Sequence, residues 1–467
     1  MKMWSPRSGQ ALDPDFERWQ RSFEFDQRLL KHELAASGAH ARALKDAAIL
    51  SSSELVDILQ GLEKIGDLAA TSAEFLQDSE AEDVHHFVEK QLVALIGDSG
   101  YKLHSGRSRN EQIATDLRLY VRAAIDQQRA DLAEFAGVLL EKAERAGDAA
   151  MPAYTHLQRA EPVLVSHWLL AYVEMFLRDA DRLADCRKRV NVCPLGSGAV
   201  AGATLSLDRR AMAASLGFDG STANSIDATS DRDFVLEFVN ALSQLALHLS
   251  RWAEEMILFS TQEFGFVQLP ETYSTGSSAM PQKKNPDLLE LTRGKAGRVI
   301  GNATALMISV KGLPLAYNKD LQETQEPLFD SAETIIALVP LVTGWMQAMA
   351  FDYERMQQAA QSGFMNAWAA ATYLVERGVP SRLAHQQVGR VVQKCVEKAC
   401  EIQDLPLDEL RSINPLFDQD LYTSLTLESV LAIHDVPGGT APARVRQAMA
   451  AAKRMIETIS EGVNAHP

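Results

Sequence analysis

The chain has 467 residues, 46% hydrophobic and 23% charged, enough apolar material for large buried cores and, at ordinary domain sizes, for about three units. A formal net charge of −16 argues against the basic surfaces that bind nucleic acid or anionic membranes, so neither is expected as a partner. Four cysteines (Cys186, Cys193, Cys395, Cys400), none in a CxxC pair or in a Cys/His cluster with zinc-ligand spacing, exclude a disulfide framework and point to reduced thiols in the cytoplasm.

In chain order, the N-terminus MKMWSPRSGQ has no apolar signal region, and export is not expected. A helical N-terminal unit, residues 1–106, ends at the loop Gly97 to Gly106. The central unit, residues 107–360, begins with a helical stretch from Asn110 to Arg145, interrupted only by Gly137. A second runs from Val163 to Val192 without Gly or Pro. Between Gly220 and Gly265 there is again neither, and Val235, Phe238, Val239, Leu242, Leu245, Leu249, Trp252, Met256 and Phe259 recur at three- and four-residue steps. About thirty helical residues at 1.5 Å each span roughly 45 Å, longer than a small domain is wide.

The loop Tyr273 to Pro286, YSTGSSAMPQKKNP, is followed by a helix from Leu288 to Val310. From Thr334 to Phe351 the chain carries no charge. Pro340, Thr343, Gly344 and Gln347 in that stretch, with acids at both ends, predict a buried, kinked helix rather than a membrane span. Residues 361–467 read as shorter helices broken by Gly378, Pro380, Pro406, Pro415 and the PGGTAP turn. The fold class is therefore all-α, with three helical domains and a central long-helix bundle. Apolar residues on more than one side of the long helices predict that other subunits complete the bundle.

Polar clusters punctuate this pattern. They are EDVH (Glu82–His85), HSGRSRNEQ (His104–Gln112), YTHLQRAEP (Tyr154–Pro162), SDRD (Ser230–Asp233) and YNKDLQE (Tyr317–Glu323), besides the Ser/Lys loop. Each has a bland reading. Arg107 and Arg109 can be helix-start charges, Thr155 a helix cap, His85 and His156 structural histidines, and Asp231 and Asp233 acids favoured by the macrodipole. Together they repeat one theme, donors for oxygen anions beside a hydroxyl or an imidazole, which points to a polycarboxylate substrate and proton transfer.

GSSAMPQKKNP, Gly276 to Pro286, resembles the signature loop of the fumarase/aspartase superfamily, GSSxMPxKxN. Joined to HSGRSRNEQ, YTHLQRAEP, PLGSGAVAG, SDRDF, YNKDLQE and PGGTAP in order, it is similar to the argininosuccinate lyase/delta-crystallin family from about residue 15 to about 445.

The resemblance implies homotetramers whose active sites draw on three subunits, and cleavage of argininosuccinate to arginine and fumarate without cofactor or metal. It implies Ser277, His156, Glu290 and Lys283 as catalytic positions, with the acid and base roles of Ser277 and His156 open. It also implies Ser22, Asp83, His85, Arg109, Asn110, Thr155, Arg232, Asn285, Tyr317, Lys319 and Gln322 as substrate-binding positions. Sister lyases acting on adenylosuccinate, aspartate, malate or carboxymuconate, and a non-catalytic crystallin-like paralogue, are the alternatives.

The chain departs from the family pattern at Glu111, at Glu161, at Gln325 where many members carry Lys, and at WSPR (Trp4 to Arg7). Lys284 receives no role and reads as a solvated charge.

Overall fold

Capping chemistry sets the first helices of the computed structural model, which describes residues 12–78 and 80–464; Trp4 to Arg7 lie outside the described residues. Helix α1 spans Leu30–Asp46. Helix α2, Ser52–Thr71, starts at a capping box in which Ser51 and Glu54 each satisfy the other's backbone amide. Helix α3, Val84–Ile96, is capped by Asp83, whose carboxylate accepts the His86 amide at 2.8 Å. The glycine-flanked stretch read as a loop is instead a short 3-10 helix, Gly97–His104.

The long helices follow the Gly/Pro-free segments closely. Helix α4 is Arg109–Ala146, 38 residues. After a β-hairpin of β1 (Ala150–Thr155) and β2 (Gln158–Leu164) come α5 (Val165–Val190) and α6 (Asp233–Ser260, 28 residues). A minimal ladder pairs β3 (Thr275–Gly276) with β4 (Lys284–Asn285). Helices α7 (Asp287–Val310) and α8 (Gln325–Ala348) follow. The C-terminal part holds α9 (Ala367–Glu376), α10 (Ser381–Lys398) and α11 (Pro442–Asn464), with shorter turns between.

Among the described residues the regular structure is helical apart from four two-stranded sheets, which the sequence pattern did not reveal. One of them corrects the capping option for Thr155. That residue ends β1, paired with Gln158, and the next helix starts only at Val165.

The apolar, charge-free segment is α8, with Pro340 inside it. Among the described residues Lys319–Ala348 is long and apolar enough to cross a membrane, but most of its apolar window is buried, with Leu338, Val339, Val342, Trp345 and Met346 nearly inaccessible. A core helix satisfies the same composition.

Two compact units result, each assembled from three segments: residues 1–128, 181–244 and 297–336, and residues 129–180, 245–296 and 337–467. The boundaries fall inside the five long helices. Each unit has its own apolar packing. In the first, Ala36, Ala39 and Ala43 of α1 pack with Leu119, Leu195, Met212 and Phe218. In the second, Trp252 stacks edge-on against both Phe135 and Trp345, at 5.4 Å between ring centroids in each case. A second cluster there gathers Leu374, Val388, Val391, Cys395, Phe417 and Leu421.

Candidate active site

The first unit brings most of the expected binding residues into one polar network. Near the chain start, the amides of Ser22 and Phe23 donate to the Glu82 carbonyl at 2.8 and 3.3 Å. The Ser22 hydroxyl donates to Asp26 at 2.7 Å, and the other Asp26 oxygen accepts the Val84 amide at 2.9 Å. Asp83, beside Val84, accepts a hydrogen bond from Arg109 at the start of α4.

Gln322 donates to the Gln20 carbonyl at 3.2 Å, and Lys319 lies 3.9 Å from Glu82. Asn110 donates to the Ala199 carbonyl at 3.3 Å. Its neighbour Glu111 accepts the Gly198 amide at 3.0 Å, so the PLGSGAVAG loop is fastened to the first turn of α4. Gly198 has φ 61°, and a Cβ there would lie 2.7 Å from the Gly202 carbonyl oxygen, so the loop cannot close in this way with another residue.

Beneath this network is a buried cluster of charges. His85 Nε2 lies 2.8 Å from Asp116 and 3.8 Å from Glu33, and its Nδ1 lies 3.7 Å from Asp83. Arg107 is 3.7 Å from Glu33 and donates to Ser37 at 2.9 Å. Burial and then Arg109 act to lower the His85 pKa. Its hydrogen bond to Asp116 and the nearby carboxylates of Asp83 and Glu33 outweigh them and push it up to about 10.

Burial, then the Asp83 charge, raises Asp26 to about 7; burial, then Glu33, raises Asp116 to about 7. Burial acts to raise Asp83 as well, but Arg109 and His85 hold it far below the usual range. Ligand atoms of Glu33, His85 and Asp116 lie within 4.8 Å of one another, a spacing a metal ion could use. A protonated imidazole has no lone pair to offer, and Arg107 already faces Glu33, so the cluster reads as a self-neutralising ion network.

Arg232 is the arginine in this unit with two buried, unpartnered nitrogens. It is 3% exposed and donates through Nη1 to the Asp231 carbonyl at 2.7 Å, while Nε and Nη2 are buried without a hydrogen-bond partner. Burial lowers its pKa to about 10. Burial raises the phenol of Tyr317, and the positive charge of the nearby Arg232 acts against that rise. Buried donors of this kind are costly unless a carboxylate takes them up. Gln325, where many family members carry Lys, is buried with its side-chain oxygen unpartnered.

The second unit holds the expected proton-transfer residues. Thr155 and His156 lie at the tip of the β1–β2 hairpin, whose two turn residues, His156 and Leu157, have φ 55° and 58°. Positive φ at both positions is the signature of a type I′ turn, usually filled by Asn and Gly; here it projects an imidazole and a 68% exposed leucine. Arg159 braces the hairpin by donating to the Ala359 carbonyl at 3.2 Å and to Ser362 at 2.9 Å.

In the signature loop, the β3–β4 ladder closes the base while Ser277 to Lys283 project beyond it. Ser277 Oγ accepts the amides of Ala279 and Met280 at 3.2 and 3.1 Å, donors that favour its alkoxide form.

Asn285 reaches Thr275 at 3.4 Å, and Lys283 lines a cavity of about 760 Å³ with Gln268, Gln282 and Ser260. Glu290, in the first turn of α7, lies 3.9 Å from Arg293. Among the described residues no hydrogen bond or ion pair joins Ser277, His156 and Glu290 to one another within the chain. Lys284 is not a free surface charge, since it is ion-paired to Glu271 and donates to the Leu269 carbonyl at 3.2 Å.

Sequence reasoning missed Asp26, Glu33 and Asp116. EDVH was the signal that could have led to them, because a motif with two acids and a histidine needs buried partners.

Residues 7–301 match a family model described as Lyase, which fixes the class of enzyme as a lyase. Residues 364–432 match the model described as Argininosuccinate lyase C-terminal. The chain belongs to the argininosuccinate lyase family. It is 58% identical over 461 residues to an argininosuccinate lyase of Koribacter versatilis, covering 99% of both chains. It is 57% identical over 459 residues to that of Acidobacterium capsulatum, covering 97% of this chain and 94% of the relative. Among solved structures it is similar to EDDS lyase in complex with formate, with a TM-score of 0.85, 27% identity, and coverage of 98% and 93%. Class II fumarase from Schistosoma mansoni shares the fold, with a TM-score of 0.73, 16% identity and coverage of 86% and 90%.

Proposed function

We propose that the chain catalyses the reversible anti β-elimination of argininosuccinate to L-arginine and fumarate in arginine biosynthesis, in the cytoplasm, without metal or cofactor. The observation that carries this reading is the 58% identity to an argininosuccinate lyase over 99% of both chains. The chemistry of the donors agrees with it: a buried guanidinium with two unmet N–H groups suits a carboxylate of the substrate.

In the proposed mechanism one of Ser277 and His156 removes the proton from the carbon next to a succinyl carboxylate. The carbanion-like intermediate is held as an aci-carboxylate by Lys283 and Asn285. Its electron pair then forms the double bond of fumarate while the C–N bond breaks and its electrons pass to the guanidino nitrogen. The other member of the pair protonates that nitrogen, and Glu290 orients the imidazole. Ser22, Asp83, His85, Arg109, Asn110, Thr155, Arg232, Tyr317, Lys319 and Gln322 bind the substrate.

The first unit carries Arg109, Arg232 and Tyr317, whereas the second carries Ser277, His156, Lys283 and Glu290. We propose that sites form in a homotetramer from three subunits, and that the three expected domains, 1–106, 107–360 and 361–467, describe its organisation.

Fumarate release followed by absorbance tests the activity. Turnover of argininosuccinate, lost in Ser277→Ala with the assembly intact, is the expected result. Turnover of adenylosuccinate alone would indicate a sister lyase, and no turnover of any candidate a crystallin-like role.

A further inference from the structure

Helix α10 ends in a way that brings two thiols together. Ala399 adopts the left-handed conformation, φ 50° and ψ 48°. The Cys400 amide donates to the Cys395 carbonyl at 3.1 Å, and the Ala399 amide donates to that of Val396 at 3.3 Å. This pair of nested bonds is a Schellman motif, in which the residue after the left-handed position folds back onto the residue four before that position. An apolar contact between those two side chains frequently accompanies the motif. Here both are cysteine.

Cys395 is fully buried in a cluster with Leu374, Val391 and Phe417, and half-buried Cys400 packs against that cluster from outside. The cap geometry thus sets the two thiols beside one another, Cys395 within the cluster and Cys400 against it. One thiol is therefore reachable from solvent and the other waits behind it, an arrangement suited to stepwise disulfide exchange. Cys186 and Cys193, by contrast, are both buried and have no cysteine facing them.

We propose that Cys395 and Cys400 form a dithiol modification site that closes to an intrachain disulfide by exchange with low-molecular-weight disulfides of the glutathione class. Cys400, as thiolate, attacks one sulfur of the external disulfide and expels a thiolate. The sulfur of Cys395, on losing its proton, displaces the second thiol from Cys400. One external disulfide is reduced to two thiols, and the two cysteines together lose two hydrogens. Burial first, and then the neighbouring Cys400, pushes the Cys395 thiol up to about 12, so the second displacement is the slow one. The next residue, Glu401, accepts the amides of Gly363 and Phe364 at 2.9 and 3.1 Å. The cross-link would thus lie beside the turn that carries Ser362, the partner of Arg159.

Peptide mass spectrometry of the full-length protein tests this. The folded protein is incubated with oxidised glutathione, quenched with an alkylating agent during unfolding, and digested with trypsin, which cuts at Lys398 between the two cysteines. The expected product is the peptide Cys395–Lys398 linked to Ala399–Arg411, lighter by two hydrogens than their sum, with Cys186 and Cys193 alkylated. Cys395→Ser should leave Cys400 arrested as its mixed disulfide with glutathione. The proposal is overturned if the unsubstituted protein also stops at that mixed disulfide, or if both thiols remain free while an exposed model thiol is fully exchanged.

Discussion

Asp26 accepts the Ser22 hydroxyl at 2.7 Å with one oxygen and the Val84 amide at 2.9 Å with the other. One buried carboxyl thereby ties the turn bearing Ser22 to the residue next to Asp83, which in turn holds Arg109. Replacing Asp26 by Ala leaves a buried amide and a buried hydroxyl unmet, at a cost of about 1–3 kcal/mol each. Asp26→Asn keeps the amide bond to Val84. The Ala variant should raise KM for argininosuccinate about tenfold or more and the Asn variant less, while kcat changes little in either. Steady-state kinetics at matched folded fractions checks the order.

His85 predicts a pH dependence of stability. Its pKa stands at about 10 in the folded chain against 6.5 unperturbed. A raised value means that the folded state holds the proton more tightly. The stabilisation is fully present below pH 6.5 and is lost as the pH rises through 10. Asp26 and Asp116, raised to about 7 from 3.8, act in the same direction at lower pH, their contribution falling between about pH 4 and 7. Chemical denaturation at pH 6.5 and pH 10 should show a loss of stability that His85→Gln reduces. An equal slope in the variant would remove His85 from the account.

Leu157 is largely exposed and held at φ 58°, where a side chain is strained and little burial offsets the strain. Leu157→Gly should stabilise the chain by about 0.5–1 kcal/mol, since glycine relieves a left-handed penalty of about 1–2 kcal/mol and loses part of that through its freer unfolded state. Activity should persist because His156 keeps its place on the turn. Thermal unfolding together with the fumarate assay tests both halves.

Dispersal of the proposed roles over the two units makes subunit mixing informative. Arg109→Ala and Ser277→Ala homo-oligomers should each be inactive. After denaturation together and refolding, random assembly should give about a quarter of the native activity if each site takes these two residues from different chains. No recovery, with normal assembly by light scattering, would mean that one chain supplies both.

The long helices were legible because scarcity of Gly and Pro and a three-to-four apolar step reinforce each other over many turns. Thus α4, α5 and α7 begin and end close to the read segments and α6 spans the periodic apolar stretch Val235 to Phe259, although α4 carries Gly137 and α7 carries Gly294, Gly297 and Gly301. The β1–β2 hairpin was not legible. Its turn is His156–Leu157, and side chains at positive φ give none of the Asn-Gly or Asp-Gly signal by which such turns are read. Arg109, Asp83 and Tyr317 were singled out through motifs, and the structure pairs the first two, Arg109 with Asp83. Asp26, Glu33 and Asp116 sit in ordinary helical text, and only packing of distant segments makes a network of them. Lys284 was misread for the opposite reason, since its partner Glu271 stands outside the motif that contains it.

The ion pair of Lys284 with Glu271 gives the doubled lysine a division of labour. Lys284 anchors one end of the loop to the chain behind it, and Gly276 pairs with it across the ladder. Any displacement of residues 277–283 is then a swing about a fastened pivot, with Lys283 as the last residue on the moving arm. A lever so short would carry the Lys283 ammonium and the Ser277 hydroxyl along nearly the same arc, so the groups proposed for the electrostatic grip and for proton transfer would arrive as one movement.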